Sequence, residues 1–138
     1  AVIVSLKLLR LSSIFEDTAV QVATNELPVI ARLMRNLPND DVQLDIIAIL
    51  FNLSFHEDCL QLISNEQMLH SFLVDNCHER HLKQHVVGLM YHLSSIHDNR
   101  NKFFDAGISE FLIKSVNKTA KKKTLDEALA GLLVNVSG

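Results

Sequence analysis

Histidine is the residue in this 138-residue chain that most invites a chemical reading. His81 and His85 stand four apart and His92 seven further on, a spacing that would set three imidazoles along one face of a helix and would permit a metal pair at His81 and His85. No Cys or carboxylate nearby completes a tetrahedral set, and the only candidates, Asp41 and Asp45, lie about forty residues earlier. The three histidines are therefore read as polar lining, with no metal. His56, His70, His78 and His97 fall nearer loop or helix-edge positions and are read as surface residues.

Other routes to chemistry fail in turn. Gly88, Gly107, Gly131 and Gly138 never cluster, so no glycine loop is available to cradle a phosphate, and no serine or cysteine has a base at a spacing that would activate it. Ser12, Ser54, Ser94 and Ser137 recur at helix ends, where a hydroxyl can bond back to its own helix. Cys59 and Cys77 lie outside any CxxC spacing in apolar-patterned segments and read as buried free thiols in a reducing compartment. That compartment, and the placing of two of the three within helices, make the Asn-X-Ser/Thr sequences at 52, 117 and 135 structural rather than glycosylated. The sequence is read as non-enzymatic, with no cofactor.

The elements that would position these side chains repeat. Four segments end LLRLSS, LFNLSF, MYHLSS and LVNVSG, with the apolar residue before the serine at Leu11, Leu53, Leu93 and Val136, spaced 42, 40 and 43 apart. Stepping back by three and seven positions gives Val4, Leu8 and Leu11, then Ile46, Leu50 and Leu53, then Val86, Met90 and Leu93, then Leu129, Leu133 and Val136. All are apolar, as one buried helix face requires. A second helix is expected from Asn25, Asn65 and Asp105, each read as a cap, with Pro28 near a helix start and Pro38 at a helix stop. A short first helix precedes it in EDTAVQVA, HEDCLQLI and HDNRNKFF. The expected organisation is a third-type helix at 1–12, followed by three-helix units at 13–55, 56–96 and 97–138 in a single domain. Each unit needs its neighbours to cover its apolar face.

With 48% hydrophobic and 21% charged residues the chain can bury a core, and four glycines and two prolines leave little to punctuate strands, so the class is all-α. No apolar run approaches a membrane span. A net charge of −3 argues against a nucleic-acid binder working through a general positive field. Lys114, Lys118, Lys121, Lys122 and Lys123 concentrate charge at what reads as the last inter-helix loop; the plain reading is a solvated loop, the sharper one a contact patch for an acidic partner segment or anionic lipid. The opening AVIVSLKLL, with neither an initiator Met nor a basic leader, reads as the interior of a longer protein whose cut repeat ends would promote self-association.

A three-helix unit of about 42 residues whose third helix closes on Asn-apolar-Ser resembles the armadillo repeat, and the resemblance covers essentially the whole chain. It implies a right-handed superhelical solenoid whose third helices line a concave groove. Residues matching the groove asparagine are Arg10, Asn52, His92 and Asn135, with His85 and Asp45 as further polar lining. The Trp that many relatives carry four residues earlier is replaced by Leu6, Ala48, Gly88 and Gly131, so a pocket for basic localisation peptides is not expected. LRLSSIF at 9–15, ILFNLSF at 49–55 and LMYHLSS at 89–95 are similar to the array of the kinesin-associated protein family, accessory subunits of kinesin-2. That implies a cytoplasmic, cytoskeleton-associated or ciliary scaffold joining kinesin-2 heavy-chain tails to cargo adaptors. Other armadillo adaptors, of exchange-factor or co-chaperone type, and the helical regulatory region of a larger enzyme are the alternatives.

Overall fold

The computed structural model describes residues 8, 10–11, 14–35, 40–122 and 127–137, apart from the side chains at 16, 35 and 119–122. Among these the chain is all-helical, without a strand. The helices are α1 (Glu16–Arg35), α2 (Asp40–Leu53), α3 (Glu57–Ser64), α4 (Leu69–Asn76), α5 (Lys83–Leu93), α6 (His97–Asp105), α7 (Ile108–Lys122) and α8 (Glu127–Ser137). A helical turn at Leu8, Arg10 and Leu11 precedes them. Val4, Leu6, Ser12, Pro38, Lys123 and Gly138 lie outside the described residues.

Two compact units divide the chain at Leu69 and His70, within the first turn of α4. In the first, α1 packs against α2 and α3. In the second, α5 packs against α8, and α6 against α7.

The third-type helices α2, α5 and α8 fall where the apolar spacing puts them. Ile46, Leu50 and Leu53 on α2, and Val86, Met90 and Leu93 on α5, are fully buried. Burial goes beyond one stripe, since Ile46 to Leu50 and Val86 to Met90 are consecutive buried runs, as expected of a helix covered on most sides. The outer copies differ: Leu8 and Leu11 are 60% exposed, and Leu133 and Val136 on α8 are half-buried.

The serine turns share one bonding pattern. Ser54 Oγ donates to the Phe51 carbonyl at 2.5 Å, Ser94 Oγ to that of Tyr91 at 2.6 Å, and Ser137 Oγ to that of Val134 at 3.2 Å. Backbone bonds from His56 to Leu53 and from Ile96 to Leu93 then close the same tight turn before α3 and α6. Each hydroxyl satisfies a carbonyl that the helix end would otherwise leave to water.

Four expectations about local structure need correction. The first two helices of the leading unit are one 20-residue helix, α1, so Asn25 is no cap and Pro28 sits inside the helix. The N–H that Pro28 lacks would have gone to the Thr24 carbonyl; both residues are exposed, which leaves that carbonyl within reach of solvent. Asn65 closes α3 and does not open α4, while Asp105 is the last residue of α6. The break after α6 is made instead by Gly107, whose φ of 92° lies in the left-handed region that a side chain disfavours. Finally, the lysine-rich segment from Lys114 to Lys122 is the continuation of α7 and not a loop. It holds no Gly or Pro to stop it, and Lys114 pairs with Glu110 one turn back at 2.8 Å.

Candidate functional site

Asp45 and Asn52 are seven residues apart on α2, two turns along one face. Arg10 meets both. Its Nη1 lies 3.3 Å from Asp45 Oδ1, and its backbone carbonyl accepts a hydrogen bond from Asn52 Nδ2 at 3.2 Å. Asp45 is buried, so its carboxylate is held in the interior beside a guanidinium that keeps partial contact with solvent. Three of the residues singled out in the sequence are thus one cluster in the first unit.

The second unit repeats the theme with different chemistry. His85 and His92 occupy α5 at the same seven-residue interval, and both are half-buried. Burial pushes the His92 imidazole below its ordinary 6.5, so it is neutral at pH 7 and offers one donor and one acceptor. Asn135 on α8 donates through Nδ2 to Ser94 Oγ at 2.9 Å, the hydroxyl that itself donates to Tyr91. Beside it the Tyr91 ring lies over the backbone of Gly131; a Cβ built there would fall on the ring, 2.6 Å from Cζ. Gly131 is therefore the surface on which Tyr91 rests.

His81 does not share this face. It is exposed and precedes α5, which begins at Lys83. Among the described residues no three His, Cys, Asp or Glu side chains come together as a metal site, and no helix is long and apolar enough to cross a membrane. Lys121 and Lys122 belong to α7, but their side chains, like Lys123 altogether, lie outside the described residues.

A second polar group departs from its sequence reading. His70 is not at the surface: it is buried on α4, with Nε2 2.7 Å from Asn99 Oδ1 on α6 and its ring edge-on to Phe103 at 5.0 Å. Asn99 is equally buried and donates through Nδ2 to the Leu93 carbonyl at 2.9 Å, which leaves its Oδ1 as the acceptor and makes His70 Nε2 the protonated nitrogen. Arg100 Nε donates to the next carbonyl, that of Ser94, at 2.7 Å, so the end of α5 is capped by two side chains of α6. One signal in the sequence points to this pair. Positions 19, 59 and 99 hold buried Ala, Cys and Asn at a spacing of forty, and a polar residue at a core position of a repeat needs a partner.

Compared with models of known protein families and with curated proteins, the sequence matches neither.

Proposed function

We propose that this chain is a non-enzymatic protein-binding scaffold of armadillo type, which holds an extended partner segment at the polar residues of its third-type helices. The partners in this reading are kinesin-2 heavy-chain tails and cargo adaptors, in microtubule-based or intraflagellar transport in the cytoplasm. One observation carries it: in each unit an Asn near the end of a third-type helix donates to the end of the third-type helix before it, to a backbone carbonyl in the first unit and to a serine hydroxyl in the second. Asn52 reaches Arg10 across 42 residues, and Asn135 reaches Ser94 across 41. An Asn recurring near the ends of third-type helices supports a repeat scaffold that presents polar groups at intervals.

Titration calorimetry of a kinesin-2 heavy-chain tail into the protein tests this. The parent should bind, and the variant carrying His92→Ala and Asn135→Ala should bind about tenfold more weakly or worse. A parent that does not bind the tail, or a folded variant that binds it unchanged, removes the reading.

A further inference from the structure

Helix α4 is eight residues long and buries one face. His70, Leu73 and Val74 are buried on it, and so is Cys77 just beyond the helix end, whose thiol donates to the Val74 carbonyl at 2.9 Å. The spacing of three, four and seven from His70 is that of a single helical stripe, and Ser71 and Asp75 are exposed. A helix this short does not hold in water by itself, so α4 stays formed only while its stripe is covered.

That stripe contains one basic group that can change its charge. His70 is 5% exposed, with Nε2 on Asn99 of α6 and its ring against Phe103, and Nδ1 makes no hydrogen bond among the described residues. A proton arriving at Nδ1 turns the ring into a cation whose polar neighbours are one amide oxygen and the Lys102 ammonium of α6. Lys102 repels it, and no carboxylate among the described residues acts on it; Asp75, the acidic residue of α4 itself, stands about 140° round the helix. Holding a charge in the interior without a counter-charge is costly, and lifting α4 carries that charge into water.

We propose that α4 is an acid-released latch: a proton taken up by His70 frees α4 from α6 and uncovers Cys77, while the first unit stays folded. The latch involves no partner and so stands apart from the scaffold reading. Lifted, the imidazole takes up its proton near the ordinary 6.5; seated, burial holds it below that. The seated state therefore binds fewer protons, and opening becomes easier as the pH drops below about 6.5. The gain is about tenfold per pH unit at most, and it ends where the seated ring itself protonates.

Cys77 reports the opening. Burial pushes its thiol up to about 11, so it is inert while α4 is seated, and the equally buried Cys59 of the first unit serves as the control. The reagent is dithiodipyridine, with each rate divided by that of glutathione at the same pH and the labelled cysteine identified by mass spectrometry. Between about pH 7 and pH 5.5 the Cys77 rate should rise about threefold or more, with that of Cys59 unchanged. The rise should vanish in His70→Gln and persist in His92→Gln, circular dichroism having first shown both variants to be folded. A Cys77 rate that does not rise, that rises together with that of Cys59, or that still rises in His70→Gln overturns the proposal. Loss of the rise in His92→Gln overturns it too, by assigning the proton to the other histidine. Should His70→Gln fail to fold, the two cysteines of the parent and of His92→Gln decide.

Discussion

His70 Nε2 lies 2.7 Å from Asn99 Oδ1, and Asn99 Nδ2 donates at 2.9 Å to the carbonyl of Leu93. Two buried polar side chains on α4 and α6 therefore hold the end of α5. Replacing His70 by Leu takes away the N–H that Asn99 accepts and should destabilise the fold by about 1 to 3 kcal/mol. The double variant His70→Leu, Asn99→Leu should cost less than the two single changes together, since neither strands a polar partner of the other. Urea denaturation of the four proteins measures the coupling; simple additivity would mean that the bond contributes nothing.

The same histidine gives the fold a pH dependence. Burial lowers the His70 imidazole below its ordinary 6.5; the bond to Asn99 opposes this and nearby Lys102 adds to it, while burial alone lowers His92. An unfolded histidine takes up a proton near 6.5, whereas the folded ones wait until the pH is lower. Between those points the unfolded chain binds more protons. The stability is then fully present above about 6.5, falls as the pH drops below it, and levels off once the folded imidazoles protonate. Denaturant midpoints taken in half-unit steps should show this decline, and His70→Gln should flatten it. An unchanged slope in that variant would place the proton uptake elsewhere.

Gly131 should not tolerate even alanine. Alanine favours a helix by about 1 kcal/mol over glycine, but its Cβ would enter the Tyr91 ring. Overpacking of that kind costs about 1 to 3 kcal/mol, so Gly131→Ala should lower the melting temperature or leave it level, never raise it. Adding Tyr91→Ala should turn Gly131→Ala into a stabilising change. Thermal melts of the single and double variants decide this.

Asn52 and Asn135 carry a structural load beside any role in binding. Each amide donates to the preceding third-type helix or the turn that closes it, so Asn52→Ala or Asn135→Ala should cost about 1 kcal/mol of stability. Leu50→Ala or Met90→Ala, which empty fully buried positions, should cost about 2 to 5 kcal/mol. Denaturation curves for the four variants should separate into these two groups.

The helical class and the third-type helices are legible in the sequence because their signal is dense: apolar residues at Ile46, Leu50 and Leu53 recur forty positions on at Val86, Met90 and Leu93. Helix ends are less legible. Asn25 looks like a cap, yet α1 runs through it and through Pro28, because the buried residues from Ala19 to Met34 form one unbroken helical face that outweighs both. The lysine segment looks like a loop from charge alone, though Lys and Ala are good helix formers. Of the polar residues, Arg10, Asp45 and Asn52 do come together, but their mutual bonds depend on side-chain reach between helices that no single-chain spacing encodes. His70 is misjudged for a related reason. A histidine beside a turn looks exposed until its partner Asn99, twenty-nine residues away, is recognised as buried.

The most direct test of the scaffold reading is a nuclear magnetic resonance footprint of a kinesin-2 heavy-chain tail on the isotopically labelled protein. The account predicts that the tail shifts the side-chain amide signals of Asn52 and Asn135 and the imidazole signals of His92. A tail that leaves those three side chains unmoved, whether it shifts other residues or none, would contradict it.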